Sequence, residues 1–367
     1  MNSMVYVKAS SPYEIHIGCD LFSQILDFLK LISDEFVIIT DTNIVELYGR
    51  EFEKKMVQSN LKVHILTFAP GEESKNRKTK EKLEDEMLQR GLLRNIGVIA
   101  LGGGIVTDIA GFVAATYLRG VPAIYIPTSL LGMVDASMGG KTGVNTPVGK
   151  NLIGSFYQPK AIFMDIHFLQ SLPEKELREG MVEVIKYALI RDKDFFRLLE
   201  KSSDKIKDPE FLKKIVTQSA KMKSFIVEQD EKEVSGLRQI INFGHTIGHA
   251  LEQMSHYKLS HGEAIAIGSI AEAYLSYEMT LLKKEELDQI FAIFKAYGLP
   301  LQIRFSFSFE DLKKCIAMDK KAKNNIPHFV LLCEIGKVHT EKAHFSVPVP
   351  ENLLQKTYQY INTNFKK

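Results

Sequence analysis

The first half of the chain repeats one pattern, a short β-branched run followed by a longer stretch with helical spacing. The runs are EFVIIT (35–40), KVHILTF (62–68), IGVIAL (96–101), VPAIYIP (121–127) and KAIFMDI (160–166). Strands separated by helix-length connections cannot pair as hairpins, so this alternation predicts βαβ units and a parallel sheet. Between the runs lie segments such as SKNRKTKEKLEDEMLQRG, where Leu83, Met87 and Leu88 recur at helical spacing and Gly91 is placed to end the helix. After residue 171 the strand-like runs nearly vanish. LREGMVEVIKYALI, PEFLKKIVTQSAKMKSFIVEQ, TIGHALEQM, GEAIAIGSIAEAYLSYEM and KEELDQIFAIFKAYG all read as amphipathic helices. The expected fold is a Rossmann-like parallel-sheet domain over residues 1–171 and an all-helical domain over 172–367. Ser171-Leu172-Pro173-Glu174 matches a capping box at that boundary, with Ser171 as N-cap and Pro173 in the first turn. The basic NTNFKK at the C-terminal end is expected to be a solvated tail.

Charge narrows the function classes. Lys and Arg total 47 against 45 for Asp and Glu, a formal net charge of +2, so no global field marks a polyanion binder. Basic residues interleaved with acids and the absence of Trp argue against nucleic-acid binding. Cys19, Cys315 and Cys333 stand far apart with no CxxC, which supports neither a disulfide framework nor a thiolate zinc knuckle and fits a reducing compartment. The N-terminal MNSMVYVKASSPYEIHIG alternates like a strand and lacks the pattern of a signal peptide. No apolar run reaches the ~18 residues that span a bilayer. A cytoplasmic protein without membrane contact is expected.

Four stretches could carry chemistry. The strand IGVIAL runs into Gly102-Gly103-Gly104 and then IVTDIAGFVAATYLRG, so backbone amides and a helix N-terminus could face a phosphate. The standard dinucleotide fingerprint is broken, since Thr107 holds the third glycine position, and a tight strand-to-helix turn without ligand is the plain alternative. Asp41, ending its strand, sits where a carboxylate could hold a ribose hydroxyl; alone, it is an ordinary turn residue. The second stretch runs from Asp135 through Gly139, Gly140, Lys141 and Asn145 to Gly149-Lys150-Asn151. It is expected to be a ligand-wrapping loop rather than a regular element. GGKT within it lacks the spacing of a P-loop, which removes ATP hydrolysis. Third, Glu183 and Lys186 in GMVEVIK share one helix face, which an ordinary surface salt bridge would also explain. Fourth, Asn242-Phe-Gly-His245-Thr-Ile-Gly-His249 puts two imidazoles four apart, and His261 follows in SHGE. With Glu183 these are candidate ligands of a divalent metal, and oxygen and nitrogen donors without thiolate suit catalytic Zn²⁺. Spacing leaves open whether His245 or His249 is the ligand.

GGGIVTDIAGFVAATYLRG, PTSLLGMVDASMGGKTGVN, GKNLIGSFYQPKAIFMD, EGMVEVIKYALI, GLRQIINFGHTIGHALE and SHGEAIAIG resemble the 3-dehydroquinate synthase family over about residues 70 to 330. The resemblance implies a lyase of the shikimate pathway, in aromatic amino acid biosynthesis. It would convert 3-deoxy-D-arabino-heptulosonate 7-phosphate to 3-dehydroquinate and phosphate, by transient oxidation, β-elimination, re-reduction and an intramolecular aldol. It implies NAD⁺ and Zn²⁺ as cofactors, with Co²⁺ able to substitute, and a homodimer. The implied metal ligands are Glu183, His245 and His261, which leaves His249 to bind substrate and move protons. NAD⁺ is implied to lie against Gly71, Glu72 and Lys75, against Gly104 and Asp108, against Thr128 and Ser129, and along Phe168, Leu169, Gln170 and Ser171. Lys141 and Lys150 would border cofactor and substrate. The sugar phosphate would be held by Asp135, Lys141, Asn151, Lys186, Lys223, Arg238, Asn242 and one of Lys320 or Lys321, with Arg119 reaching in from a partner subunit. DEKEVSGLR is one residue longer than the usual family spacing, and Ser129 stands where threonine is common.

The chemistry asks for these residue types. A substrate with about three negative charges needs a local cationic pocket in a nearly neutral protein. Oxidising a secondary alcohol with a pKa near ~15.7 at neutral pH leaves a deficit of roughly 12 kcal/mol, most of which a Lewis-acid metal can supply. Competing readings are another sugar-phosphate cyclase of the same fold, a metal-dependent polyol dehydrogenase that accumulates NADH, and a non-catalytic NAD-binding regulator.

Overall fold

The computed structural model describes residues 2–317, 327–342 and 344–366. By contacts the chain divides into two compact units, Met1–Pro173 with Leu212–Glu231, and Glu174–Phe211 with Lys232–Lys367. The boundary thus falls two residues after the one read from sequence, and one segment of the helical half groups with the sheet.

The first unit is built on seven strands: β1 (Ser3–Val7), β2 (Tyr13–Gly18), β3 (Glu35–Asp41), β4 (Lys62–Phe68), β5 (Gly97–Gly102), β6 (Ala123–Pro127) and, after the hairpin of β7 (Lys141–Thr146) and β8 (Gly149–Phe156), β9 (Ala161–Asp165). Their order is β1-β2-β9-β6-β5-β3-β4, parallel except for the antiparallel β1–β2 pair. Central strands of a parallel sheet are covered on both faces, which is why their sequences are continuous apolar runs rather than alternations. Phe36, Ile38, Ile99, Leu101, Ile124, Ile126 and Phe163 pack on one side with Ile25 and Leu29 of helix Phe22–Ile32 and with Phe52 and Met56 of helix Arg50–Gln58. The intervening Val37, Ile39, Val98 and Ala100 are fully buried on the other side, where helix Gly104–Thr116 packs on β5 and β6.

Two local expectations are corrected here. The glycine-rich stretch is irregular only over residues 137–140; from Lys141 onward it is the hairpin β7–β8, in which Gly143 faces Gly154. Those two glycines are what permits it: a Cβ on Gly154 would lie 1.9 Å from Thr142 O, and one on Gly143 would lie 2.6 Å from Ile153 O. Ser171 caps no following helix. It closes the 3₁₀ turn Ile166–Gln170, its hydroxyl donates to Phe168 O and meets the Tyr48 hydroxyl, and the next helix begins at Glu174.

The second unit is dominated by helices, as the amphipathic stretches predict: Glu174–Arg191, Lys193–Glu200, His245–Met254, His261–Glu278, Lys284–Ala296, Phe309–Ala317 and Glu351–Phe365. Two small antiparallel ladders interrupt them, His328–Phe329 with Val347–Pro348 and Leu332–Glu334 with Lys337–Val338. Helix His261–Glu278, rich in Ala and Gly and buried nearly all round, is the hub, with helices Glu174–Arg191, His245–Met254, Lys284–Ala296 and Glu351–Phe365 packed on it. The stretch expected to be a solvated tail is in part built into the fold. Asn362–Phe365 continue the last helix, Phe365 is buried, and its carbonyl accepts from Ile303 N at 2.7 Å. Among the described residues no helix is long and apolar enough to cross a membrane.

Candidate active site

In the first unit the chain runs from β3 outward to β4, then returns to the opposite side of β3 for β5. Where strand order reverses in this way, the loops at the C-terminal ends of the two strands diverge and leave a crevice. The reversal lies between β3 and β5, so Asp41 and Gly102-Gly103-Gly104 stand at its mouth. Asp41 Oδ1 accepts from Asn43 N and Ile44 N at 2.9 and 3.0 Å, capping the short helix beyond it. Gly103 leaves the start of helix Gly104–Thr116 without a side-chain cap, and a Cβ on Gly104 would come within 2.9 Å of Ala136 Cβ. Bare amides with no room for a side chain fit the close approach of a phosphate. Thr128 is buried at the end of β6, Ser129 Oγ accepts from Gly132 N, and Phe168, Leu169, Gln170 and Ser171 form the turn that follows β9.

Around this crevice polar side chains are already linked. Lys75 Nζ lies 2.5 Å from Asp108 Oδ2, both largely buried. Burial works against the Lys75 charge, yet Asp108 and Glu72 hold the ammonium above its usual value. Burial pushes the Asp108 carboxyl up, against the pull of Lys75. Glu72 follows Gly71, whose φ of 100° suits glycine, and its Oε1 accepts from Asn145 Nδ2 at 2.7 Å. The Asn145 amide N donates to Lys75 O and its Oδ1 accepts from Asn151 N, so one asparagine ties the Gly71–Lys75 segment to the hairpin. Asn145 lay in the glycine-rich stretch but had no role in the sequence reading. Asn151 itself adopts φ 54°. Lys141 is exposed at the start of β7 and Lys150 half-buried on β8. Asp135 is joined by Lys223, whose Nζ donates to Asp135 Oδ1 at 2.7 Å and to its carbonyl. Arg119 is exposed in a left-handed turn at φ 71°.

The second unit gathers the metal candidates by close helix packing. A Cβ on Gly268 would lie 2.1 Å from Gly244 O, and one on Gly248 would lie 2.6 Å from Ile265 Cδ1, so helices His245–Met254 and His261–Glu278 meet backbone to backbone. Gly262 does the same against Glu179, one turn before Glu183 on helix Glu174–Arg191. His245 and His261 each open their helix, and the contacts bring both to Glu183. Glu183 Oε1 is 3.6 Å from His245 Nε2 and 3.8 Å from His261 Nε2. One ligand atom from each of the three lies within 4.8 Å of the others. Donors ~2.1 Å from a tetrahedral ion stand ~3.4 Å apart, so the set needs little adjustment to close on one.

The surroundings fit such an ion. Both Glu183 oxygens are buried without a hydrogen-bond partner, although Lys186 stands against Oε2 as a buried ion pair. This is not the surface salt bridge that the spacing alone allowed. His245 Nδ1 meets Phe243 O at 3.1 Å, and His261 Nδ1 faces Glu252 Oε2 at 3.6 Å, arrangements that turn each Nε2 toward Glu183. A second grouping, His249, Glu252 and His261, also lies within ligand reach of itself. His249 is exposed, with its ring 5.2 Å from that of His245. Arg238 is buried with Glu233 Oε1 3.6 Å from its Nε, and Asn242 ends the turn Leu237–Asn242, which packs on helix Glu174–Arg191. Glu252 had no signal in the sequence, since only the fold shows which imidazole it meets. Lys320 and Lys321 lie outside the described residues.

Residues 65–179 match the family described as 3-dehydroquinate synthase N-terminal, and residues 180–322 match 3-dehydroquinate synthase C-terminal. A 3-dehydroquinate synthase of Prochlorococcus marinus is 44% identical over 339 residues, 90% of this chain and 93% of that one. The chain belongs to the 3-dehydroquinate synthase family. A solved 2-deoxy-scyllo-inosose synthase, complexed with carbaglucose-6-phosphate, NAD⁺ and Co²⁺, superposes with a TM-score of 0.89 at 25% identity, covering 98% of this chain and all of that one. A 2-epi-5-epi-valiolone synthase of Streptomyces hygroscopicus with NAD⁺ and Zn²⁺ bound gives 0.87 at 25%, covering 96% and 97%. An iron-containing alcohol dehydrogenase shares the fold alone, at 14% identity and a TM-score of 0.64. Within this fold, then, the chain's sequence places it with the dehydroquinate synthases.

Proposed function

We propose that the chain catalyses the 3-dehydroquinate synthase reaction, releasing phosphate from 3-deoxy-D-arabino-heptulosonate 7-phosphate to form 3-dehydroquinate, with NAD⁺ and a divalent metal ion, zinc by preference. The observation that carries this is the convergence of Glu183, His245 and His261, in a member of this family, on a buried carboxylate whose Oε1 faces both imidazoles and has no hydrogen-bond partner. When bound, NAD⁺ would accept and return a hydride and the metal would polarise a substrate oxygen.

The chain's own residues do the rest. Glu72, Lys75, Gly104, Asp108 and the turn Phe168–Ser171 seat the dinucleotide at the strand-order reversal. Lys141, Lys150 and Asn151 on the hairpin, with Lys223 beside Asp135, offer hydrogen-bond donors to the anionic ends of the sugar phosphate. The helical unit contributes Lys186, Arg238 and Asn242 for the same purpose. His249, exposed beside the metal candidates, holds or releases a proton at its imidazole, and Asp135 does so at its carboxylate. The homodimer, with Arg119 serving the partner's site, belongs to this reading, and light scattering would show twice the mass of one chain.

Two measurements test the proposal. Purified protein with NAD⁺ and the heptulosonate should release phosphate in step with dehydroquinate and leave no net NADH. Release from glucose 6-phosphate instead would move the chain to the inosose-forming cyclases, and accumulating NADH would make it a polyol dehydrogenase.

A further inference from the structure

We infer that Glu272 is a positioning residue for the metal ligand His245, acting through the backbone that carries it. The inference rests on the metal reading proposed above. Helix His245–Met254 begins after Gly244, at φ 80°, and Gly244 has no side chain with which to cap it. Glu272, fully buried and 28 residues further along, supplies the cap from the neighbouring helix. Its Oε2 accepts from Gly244 N at 2.7 Å and its Oε1 from Ile247 N at 3.1 Å. The two amides bracket His245. Two N–H groups at the positive end of a helix, one on each oxygen, help to make a carboxylate this deep tolerable.

The cap fixes more than stability. Gly244 cannot shift toward the hub helix, because Ser269 Oγ lies 2.2 Å from where its Cβ would be, and the Gly268 contact blocks the same path. With its amide held by Glu272, the turn at Gly244 sets the distance from Phe243 O to His245 Nδ1, and hence the aim of Nε2 at Glu183. A carboxylate is required rather than an amide. Glutamine would keep one acceptor and turn an NH₂ group against a backbone N–H. The bonds from Glu272 to Gly244 N and Ile247 N act on the backbone that carries His245, and through it on the metal site.

The test is the affinity of metal-free protein for Co²⁺, measured by competition with a chromophoric chelator, together with the visible spectrum of the Co²⁺ form. Glu272→Gln should bind Co²⁺ about 10- to 100-fold more weakly than wild type and change the spectrum, with helix content preserved. Leu275→Ala, buried one turn along the same helix, is the control for general destabilisation and should leave affinity and spectrum unchanged. Glu272→Asp, which keeps the charge but cannot reach both amides, serves if the glutamine variant does not fold. Wild-type affinity and spectrum in Glu272→Gln, or an equal loss in Leu275→Ala, would overturn the positioning role, as would failure of both Glu272 variants to fold. Failure of the metal reading itself looks different: Co²⁺ binding by wild type that survives Glu183→Ala.

Discussion

In the first unit Lys75 lies against Asp108 and Lys223 against Asp135, each ammonium buried and held against a carboxylate. In the second unit the conspicuous buried groups are carboxylates, Glu183, Glu252 and Glu272, whose partners include imidazoles and backbone amides. Lys186 covers one oxygen of Glu183 and leaves the other toward two histidines. The contrast is chemical. Lysines already held against carboxylates can turn N–H donors to an anion without first burying a lone charge, whereas a carboxylate and two imidazoles form a set completed by a cation.

The sharpest way to break the comparison is at Glu183. Glu183→Ala should lose the metal and lower phosphate release by at least ~10³-fold, checked by elemental analysis and by the heptulosonate assay. Retained zinc with retained activity would end the metal assignment. Next in size is Lys75→Met, which strands the Asp108 carboxylate and should cost about 3 kcal/mol in urea unfolding near neutral pH. Burial already raises that carboxyl in the folded protein. The penalty is therefore absent below the ordinary carboxyl range and grows as pH climbs from there to the raised value, so the deficit should shrink in acid. A deficit that grows on acidification would show that Asp108 is not the stranded partner.

Smaller effects refine the picture. Gly268→Ala drives a methyl into Gly244 O and should cost about 2 kcal/mol while weakening Co²⁺ binding, because the helices carrying His245 and His261 must separate. The smallest effect is expected at the exposed Glu174, held at about 2 by Lys207 and Arg178. A lowered carboxyl stabilises above its usual range, and that contribution disappears as pH falls through the folded-state value. Glu174→Gln should thus lower Tm slightly at pH 6 and by much less at pH 2.

How much of this could be read in advance follows from where each signal resides. The strands β3, β5, β6 and β9 were legible within a residue or two, because doubly covered strands must be continuously apolar, and the edge strand β4 was legible from its β-branched run. The long helices were legible from their periodicity. The hairpin β7–β8 was not: glycines that mark a loop in isolation here allow two backbones to touch, and only the opposing strand reveals which case holds. Ser171 matched a capping pattern but spends its hydroxyl on Tyr48 and Phe168. Glu183 and the histidines stood out as residue types at suggestive spacing, and their convergence depended on glycine contacts between helices far apart in sequence. Asn145, Glu252 and Glu272 carried no signal, since an acid or amide shows its role only beside its partner.

The segment Leu212–Glu231 has a consequence for how the chain is made. Lys8 N donates to Glu228 Oε1, and Ser10 donates through its amide and its hydroxyl to Glu231, so the link between β1 and β2 is secured by residues more than two hundred positions later. A nascent chain leaving the ribosome cannot finish its sheet unit until those glutamates emerge, by which time the first helices of the other unit are already outside. Dissection at residue 173 would strip the β1–β2 link of those bonds, and a fragment meant to isolate the sheet unit must carry the later helix with it.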